Sequence, residues 1–264
     1  MPLPFNDWEG MKLKSLWYSN FLPLLIAAVI NGKAYGDELI VSAAASLTDV
    51  FTHMIEVYES ENPSSEVLLN LGGSGALLQQ IYKGAPVDVY ASANMVLVDQ
   101  AIERKALKKE TVTVFTSNEL VLIVPKKVKH GSLLALKDLA RDEVKRVAVS
   151  NYGVPVGRYT IDTLKNLGYW KVLKGKVINT MNVRQTLSYV LRGEVDAGFV
   201  YRTDAGTQPE RVKILEAIPT LEKITYPIGI TESSRNLIEA RKFLQFVLST
   251  RGQEVLAEYG FSKP

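Results

Sequence analysis

The chain of 264 residues contains no cysteine. A disulfide framework, a thiolate metal site, a cysteine nucleophile and a lipid anchor on cysteine are therefore excluded. There are two histidines, His53 and His130, and neither sits in an H-E-x-x-H or x-x-E-H spacing. No zinc-hydrolase signature is present. Neither G-x-G-x-x-G nor G-x-x-x-x-G-K-[ST] occurs, so nucleotide binding has no motif support. Excess charge is lacking too. The net charge is +3, whereas nucleic-acid surfaces are usually far more basic. The one basic cluster, Lys126-Lys127-Val128-Lys129-His130, precedes Gly131-Ser132 and reads as a solvated loop.

Long apolar runs are also missing. The run Phe21 to Ile30 spans ten residues and contains Pro23, against the about 20 residues a membrane-crossing helix needs. Lys12 and Lys14 precede it, and polar Asn31-Gly32-Lys33 and small Ala34-Tyr35-Gly36 follow. That is the layout of a secretory signal peptide over residues 1–36, with cleavage near Gly36. Asp7 and Glu9 ahead of the basic region make Met11 an alternative initiator. With no cysteine to lipidate, the exported chain is expected free in a periplasm-like space, as a monomer.

The remaining chain has an ordinary composition, 47% hydrophobic and 22% charged, enough for a sizeable core. Strand-like and helix-like runs alternate. Leu39–Ala43, Glu66–Leu71, Val87–Ala91, Val147–Val149 and Asp196–Tyr201 read as strands. Between them, Val50–Tyr58, Gly75–Tyr82, Val96–Arg104, Val154–Leu167 and Val183–Leu191 carry helical spacing, followed by a final helical region, Asn236–Tyr259. Two extended stretches, Thr111–Pro125 and Ile224–Thr231, stand apart. The first is too long for one strand. This pattern predicts an α/β protein of two lobes, each a mainly parallel sheet flanked by helices. Residues 37–117 with 225–264 would form one lobe and 118–224 the other, joined by two hinge crossings.

Two turns stand out. Ala43-Ala44-Ala45-Ser46-Leu47-Thr48-Asp49 and Gly72-Gly73-Ser74-Gly75 each follow a strand and place a serine where a helix begins. Ser46 with Asp49 resembles a capping box. A helix start exposes unpaired N–H groups and about half a positive charge, which suits an anion. Val156 and Val183 mark two further starts, and Tyr201 ends a strand on the same side. A serine in such a place often serves only as an N-cap, and a Gly-rich turn only as a turn. Arg158 and Arg184, near helix starts, read as solvent-exposed flanking charges. Asp88, Asp196 and Asp204 read as caps or ion-pair partners. Neither serine turn contains a lysine or histidine, so the pattern points to binding rather than catalysis.

These residues resemble a known family. The two serine turns, Gly84-Ala85-Pro86-Val87-Asp88-Val89, Val154-Pro155-Val156-Gly157-Arg158-Tyr159, Asn182-Val183-Arg184, Gly198-Phe199-Val200-Tyr201-Arg202-Thr203-Asp204-Ala205 and Glu258-Tyr259-Gly260-Phe261 occur in order across 38–262. Together they are similar to the molybdate-binding proteins of ABC uptake transporters. The resemblance implies the two-lobed periplasmic-binding-protein fold and an oxyanion ligand, molybdate or tungstate, held by Ser46, Ser74, Val156, Val183 and Tyr201. It implies no cofactor, no direct protein–metal bond and no reaction. The partner would be a membrane permease, with no nucleic acid. Val156 departs from the alanine common in the family, and Gly73 and Gly75 stand where some relatives have serine. The rival readings are a binding protein for sulfate, phosphate or a carboxylate, and an exported hydrolase using Ser46 or Ser74 as nucleophile.

Overall fold

The computed structural model describes residues 38–127, 133 and 135–264. The expected signal peptide and His130 lie outside the described residues. Ten strands form two five-stranded sheets. The first sheet holds β1 (Glu38–Ala44), β2 (Glu66–Gly72), β3 (Val89–Ala91), β4 (Thr113–Asn118) and β10 (Ile224–Ile230), in the order β2-β1-β3-β10-β4. The second holds β5 (Leu120–Pro125), β6 (Val147–Ser150), β7 (Val177–Thr180), β8 (Ala197–Tyr201) and β9 (Val212–Ala217), in the order β7-β6-β8-β5-β9. Helices α1 (Thr48–Glu61), α2 (Ser74–Tyr82), α3 (Met95–Glu103), α8 (Leu237–Leu248) and α9 (Thr250–Glu258) accompany the first sheet in sequence. Helices α4 (Pro155–Asn166), α5 (Trp170–Leu173), α6 (Val183–Leu191) and α7 (Arg202–Gly206) accompany the second.

The apolar run of β1 follows from its place between two parallel neighbours. Val41 pairs with Leu69 of β2 and with Val89 of β3. Each sheet is mixed, with four strands running one way and a single strand reversed. β10 is antiparallel to β3 and β4, and β5 is antiparallel to β8 and β9. The reversal has a simple cause. The other strands of each sheet end at the gap between the sheets, while a chain arriving across that gap must start there and run away from it.

The stretch 111–125 is two strands, β4 and β5, split by Glu119 alone. Ile224 at the start of β10 pairs with Asn118 at the end of β4. Ile218, just past β9, donates its N–H to the Leu120 carbonyl at 2.8 Å. The outgoing and returning crossings therefore lie side by side. The expected single helical region over 236–259 is two helices, broken where Ser249 Oγ accepts from Gly252 N–H and caps α9. β7 and β9 were not anticipated. Both are edge strands with mostly half-buried or exposed positions, so neither carries a continuous apolar run. Gly168 and Gly193 end α4 and α6 with positive φ, as helix-stopping glycines do.

The returning C-terminal helices are locked to the first sheet by aromatic packing. Phe51 of α1 meets Phe115 of β4 at 5.8 Å and Phe243 of α8 at 6.3 Å between ring centroids. All three rings are buried. Phe51→Ala removes the centre of this cluster, which should cost about 3–5 kcal/mol. Chemical denaturation checks it, and a loss below about 1 kcal/mol would show that the cluster does not tie these elements together.

Candidate functional site

Six chain segments from the two sheets converge on one small, partly open cavity. Ser46, Ser74, Val156, Val183 and Tyr201 all line it. No charged side chain does, among the described residues. Each lining segment follows the carboxyl end of a strand, where α/β sheets place ligand sites.

Ser46 sits in a 3-10 turn, Ala45–Leu47, between β1 and α1. The expected capping box does not form. The N-cap of α1 is Leu47, with no side-chain cap, because the 3-10 turn moves the helix start beyond Ser46. The Ser46 hydroxyl instead lies 2.9 Å from the Tyr226 hydroxyl of β10. Asp49 is likewise freed for another partner, described below. Ser74 is the first residue of α2. Its Oγ accepts from Ala93 N–H at 3.2 Å, and its carbonyl accepts from the Tyr90 hydroxyl at 2.8 Å. Both serines are buried.

Pro155 opens α4 and puts Val156 at its second position, inside the turn whose N–H groups have no partner within the helix. Val183 opens α6. Asn182 caps that helix, its Oδ1 accepting from Gln185 N–H at 2.9 Å. The cap uses the third N–H of the helix and leaves that of Val183 with no partner within the helix. Tyr201 is 1% exposed, and its hydroxyl has no hydrogen-bond partner among the described residues. Burial raises its pKa well above the usual tyrosine value, helped by Tyr226, so it stays a neutral donor. A buried hydroxyl left without a partner costs about 1–3 kcal/mol.

The two halves meet backbone to backbone at the rim. A Cβ added to Gly75 would lie 2.2 Å from the Gly153 carbonyl oxygen, and one added to Gly73 would lie 2.8 Å from that of Met181. Glycine at 73 and 75 therefore permits this approach, whatever hydroxyls a serine there would bring.

Arg184 is not a loose surface charge. From α6 it pairs with Asp49 of α1 across the gap, and its Nε lies 2.7 Å from Asp204 Oδ1 of α7. The Nε contact is an ion pair formed off the N–H line rather than an aligned hydrogen bond. Asp204 is fully buried, and that burial pushes its pKa up to about 6, although Arg184 pulls it down. Two carboxylates thus hold the one guanidinium just behind Val183. Asp204 takes the ion-pair role read for it from the sequence, whereas Asp49, whose partner is distant in sequence, was not expected there.

Arg158 pairs with Asp162, one turn on along α4. Asp88 accepts from Ile40 N–H and from the Ser234 hydroxyl, which makes it a structural cap. Asp196 similarly accepts from the N–H groups of Lys145 and Arg146. His53 lies 3.9 Å from Glu258 and packs on Tyr259, away from the cavity. The hydrogen-bond partners of the Ser46 and Ser74 hydroxyls are a tyrosine hydroxyl and a backbone N–H, not a base. Among the described residues, no cluster of three or more His, Asp or Glu could hold a metal ion.

Asp204 has a thermodynamic consequence. Its folded pKa lies above its ordinary value of 3.8, so the folded state holds this proton more tightly than the unfolded state. Its contribution to stability falls as pH rises from about 4 to about 6 and is lowest above that window. The stability of wild type minus that of Asp204→Asn should therefore drop by about 2–3 kcal/mol between pH 4 and 7. Urea denaturation of both proteins at each pH measures it; a difference that stays flat or rises would show that burial does not dominate at Asp204.

Comparison with known proteins agrees with this geometry. Residues 39–262 match the family described as bacterial extracellular solute-binding protein. The chain is 32% identical over 248 residues to the molybdate-binding protein ModA of Haemophilus influenzae, covering 90% of this chain and 95% of the relative. The structure superposes on the periplasmic molybdate-binding protein of Azotobacter vinelandii with a TM-score of 0.73 at 22% identity, over 86% of this chain and 99% of that one. It also superposes on the sulfate-binding protein SubI of Mycobacterium tuberculosis with a TM-score of 0.76 at 15% identity, over 86% of each chain. These two likenesses establish the two-lobed periplasmic-binding-protein fold. With nearly all of its described length matched, the chain belongs to the bacterial extracellular solute-binding protein family.

Proposed function

We propose that this chain binds molybdate, and tungstate with it, outside the cytoplasm and delivers the anion to a membrane permease. The observation that carries the reading is the Tyr201 hydroxyl. It is buried and unpartnered, in a cavity that also holds two serines and several helix starts among alanine, valine and proline side chains. A guest rich in acceptors and free of protons would satisfy all of these donors at once. Ser46, Ser74 and Tyr201 offer hydroxyls. Val156 and Val183 offer backbone N–H groups at starts of helices worth about half a positive charge each. No bond is made or broken, and no cofactor takes part.

The 32% identity to a molybdate-binding protein supports molybdate over other oxyanions. Sulfate is the second reading, favoured by the likeness to a sulfate-binding protein. The two anions share charge and shape and differ in size, so the cavity walls, Val156 among them, would decide between them. The chain acts as a monomer, with residues 37–117 plus 225–264 hinged against 118–224 at the two crossings. Export by a signal peptide over 1–36 places it in the periplasm. No helix among the described residues is long and apolar enough to cross a membrane.

Titration calorimetry of the protein lacking residues 1–36 should give one site for molybdate, a similar one for tungstate and a weaker one for sulfate. No heat and no thermal shift with molybdate would refute the reading. Tyr201→Phe should weaken molybdate binding by about tenfold or more, the worth of one hydrogen bond to a charged acceptor. Gly75→Ala should weaken it as well, because the added methyl meets the Gly153 carbonyl and holds the halves apart. Binding equal to wild type in this variant would show that the rim contact plays no part in closure.

A further inference from the structure

The two carboxylates that hold Arg184 are set up unequally. Asp204 of α7 lies 2.7 Å from the Arg184 Nε, and its side chain is fully buried. Both α6 and α7 belong to the half 118–224, so this contact persists whether the gap is open or shut. Asp49 comes from the other half, in the first turn of α1. Its Oδ2 accepts from Arg184 Nη2 only when the halves meet.

An ion pair reached by water is usually worth little, partly because two flexible side chains must be ordered to make it. Here that ordering is largely done in advance. A buried carboxylate already fixes the guanidinium, and Asp49 has a short side chain rooted in a helix. The side chain of Arg184 is 25% exposed and that of Asp49 41%, so water screens the pair only in part.

The pair also sits beside the cavity donors. Val183 and Arg184 are the first two residues of α6. Ser46 lies in the 3-10 turn that runs straight into α1, three residues before Asp49. Neither Asp49 nor Arg184 lines the cavity. Contact between the two charges therefore brings the Ser46 turn and the Val183 helix start together without either charge lining the space for a guest.

We infer that Arg184 and Asp49 form a latch between the halves, which engages when the gap shuts over a guest and slows the guest's release. The inference rests on the reading above that the halves close over an anion, and it deepens that reading. Release requires the gap to open, and opening breaks the pair. The free energy that the pair contributes to the shut arrangement thus appears as a slower release. The latch acts on the halves rather than on the guest, so it slows the release of any anion the cavity accepts by the same factor.

A cycle of substitutions tests it. Release is timed with isotopically labelled molybdate chased by excess unlabelled anion, and thermal melts confirm folding. Asp49→Asn should speed release by about two- to fivefold. Arg184→Gln together with Asp204→Asn removes the guanidinium without leaving a buried carboxylate unpaired, and should speed release by a similar factor. If that background does not fold, the apolar replacements Arg184→Met with Asp204→Leu take its place. Adding Asp49→Asn to either background should change nothing further, because the pair is already gone. The same speed-up from Asp49→Asn in both the wild type and the background would show that Asp49 acts through α1 alone. An unchanged release rate in Asp49→Asn would show that the pair does not hold the gap. Either result overturns the inference. Wild type that takes sulfate but not molybdate refutes the ligand reading alone, and the cycle is then run on sulfate release.

Discussion

The structure depends on one constraint: a small, largely apolar cavity whose wall holds three hydroxyls and, among the described residues, no charged side chain. Donors of this kind are costly to bury unpaired. They are tolerable where a guest satisfies them, and a dianion satisfies several at once. The two sheets, with strand ends turned to a shared gap, bring five such donor-bearing segments to one place. Closing the gap requires backbones to touch, and Gly73 and Gly75 permit that where any side chain would meet a carbonyl.

Charge is present nearby but kept balanced. Arg184 follows Val183 directly, yet Asp49 and Asp204 hold it from both sides of the gap. A free guanidinium at that point would bind any anion by charge alone. With its charge spent on two carboxylates, it is not left unpaired beside the cavity. The same ion pairs join α1 of one half to α6 and α7 of the other. They therefore help hold the arrangement in which the helix starts converge.

Much of the fold was legible because its signals are local. Apolar runs marked β1, β2, β6 and β8, and helical spacing marked α1, α4 and α6. Asn182 caps α6, and Gly168 and Gly193 end α4 and α6, all through residues close in sequence. The short connection at Glu119 was legible only as a stretch too long for one strand. The edge strands β7 and β9 were missed because half-exposed strands alternate weakly. The reversed strand in each sheet was missed because strand direction is set by where the chain re-enters, not by its residues.

Five of the residues lining the cavity were readable from the sequence, since each sits beside a strand end and a helix start or closes such a strand. Their chemical type, hydroxyl or backbone donor with no base, was readable too. What the tertiary structure alone decided is how those donors are held and aimed. Ser46 takes its orientation from Tyr226, 180 residues away, and Tyr226 takes its own from Asn118 at the crossing. Asp204 finds Arg184 only once α6 and α7 pack together, and Asp49 finds it only once the halves meet. Local sequence determines which groups a turn can offer, because backbone geometry and capping act over a few residues. Partners brought together from opposite ends of the chain decide how each group is held, because that depends on contacts no local pattern encodes.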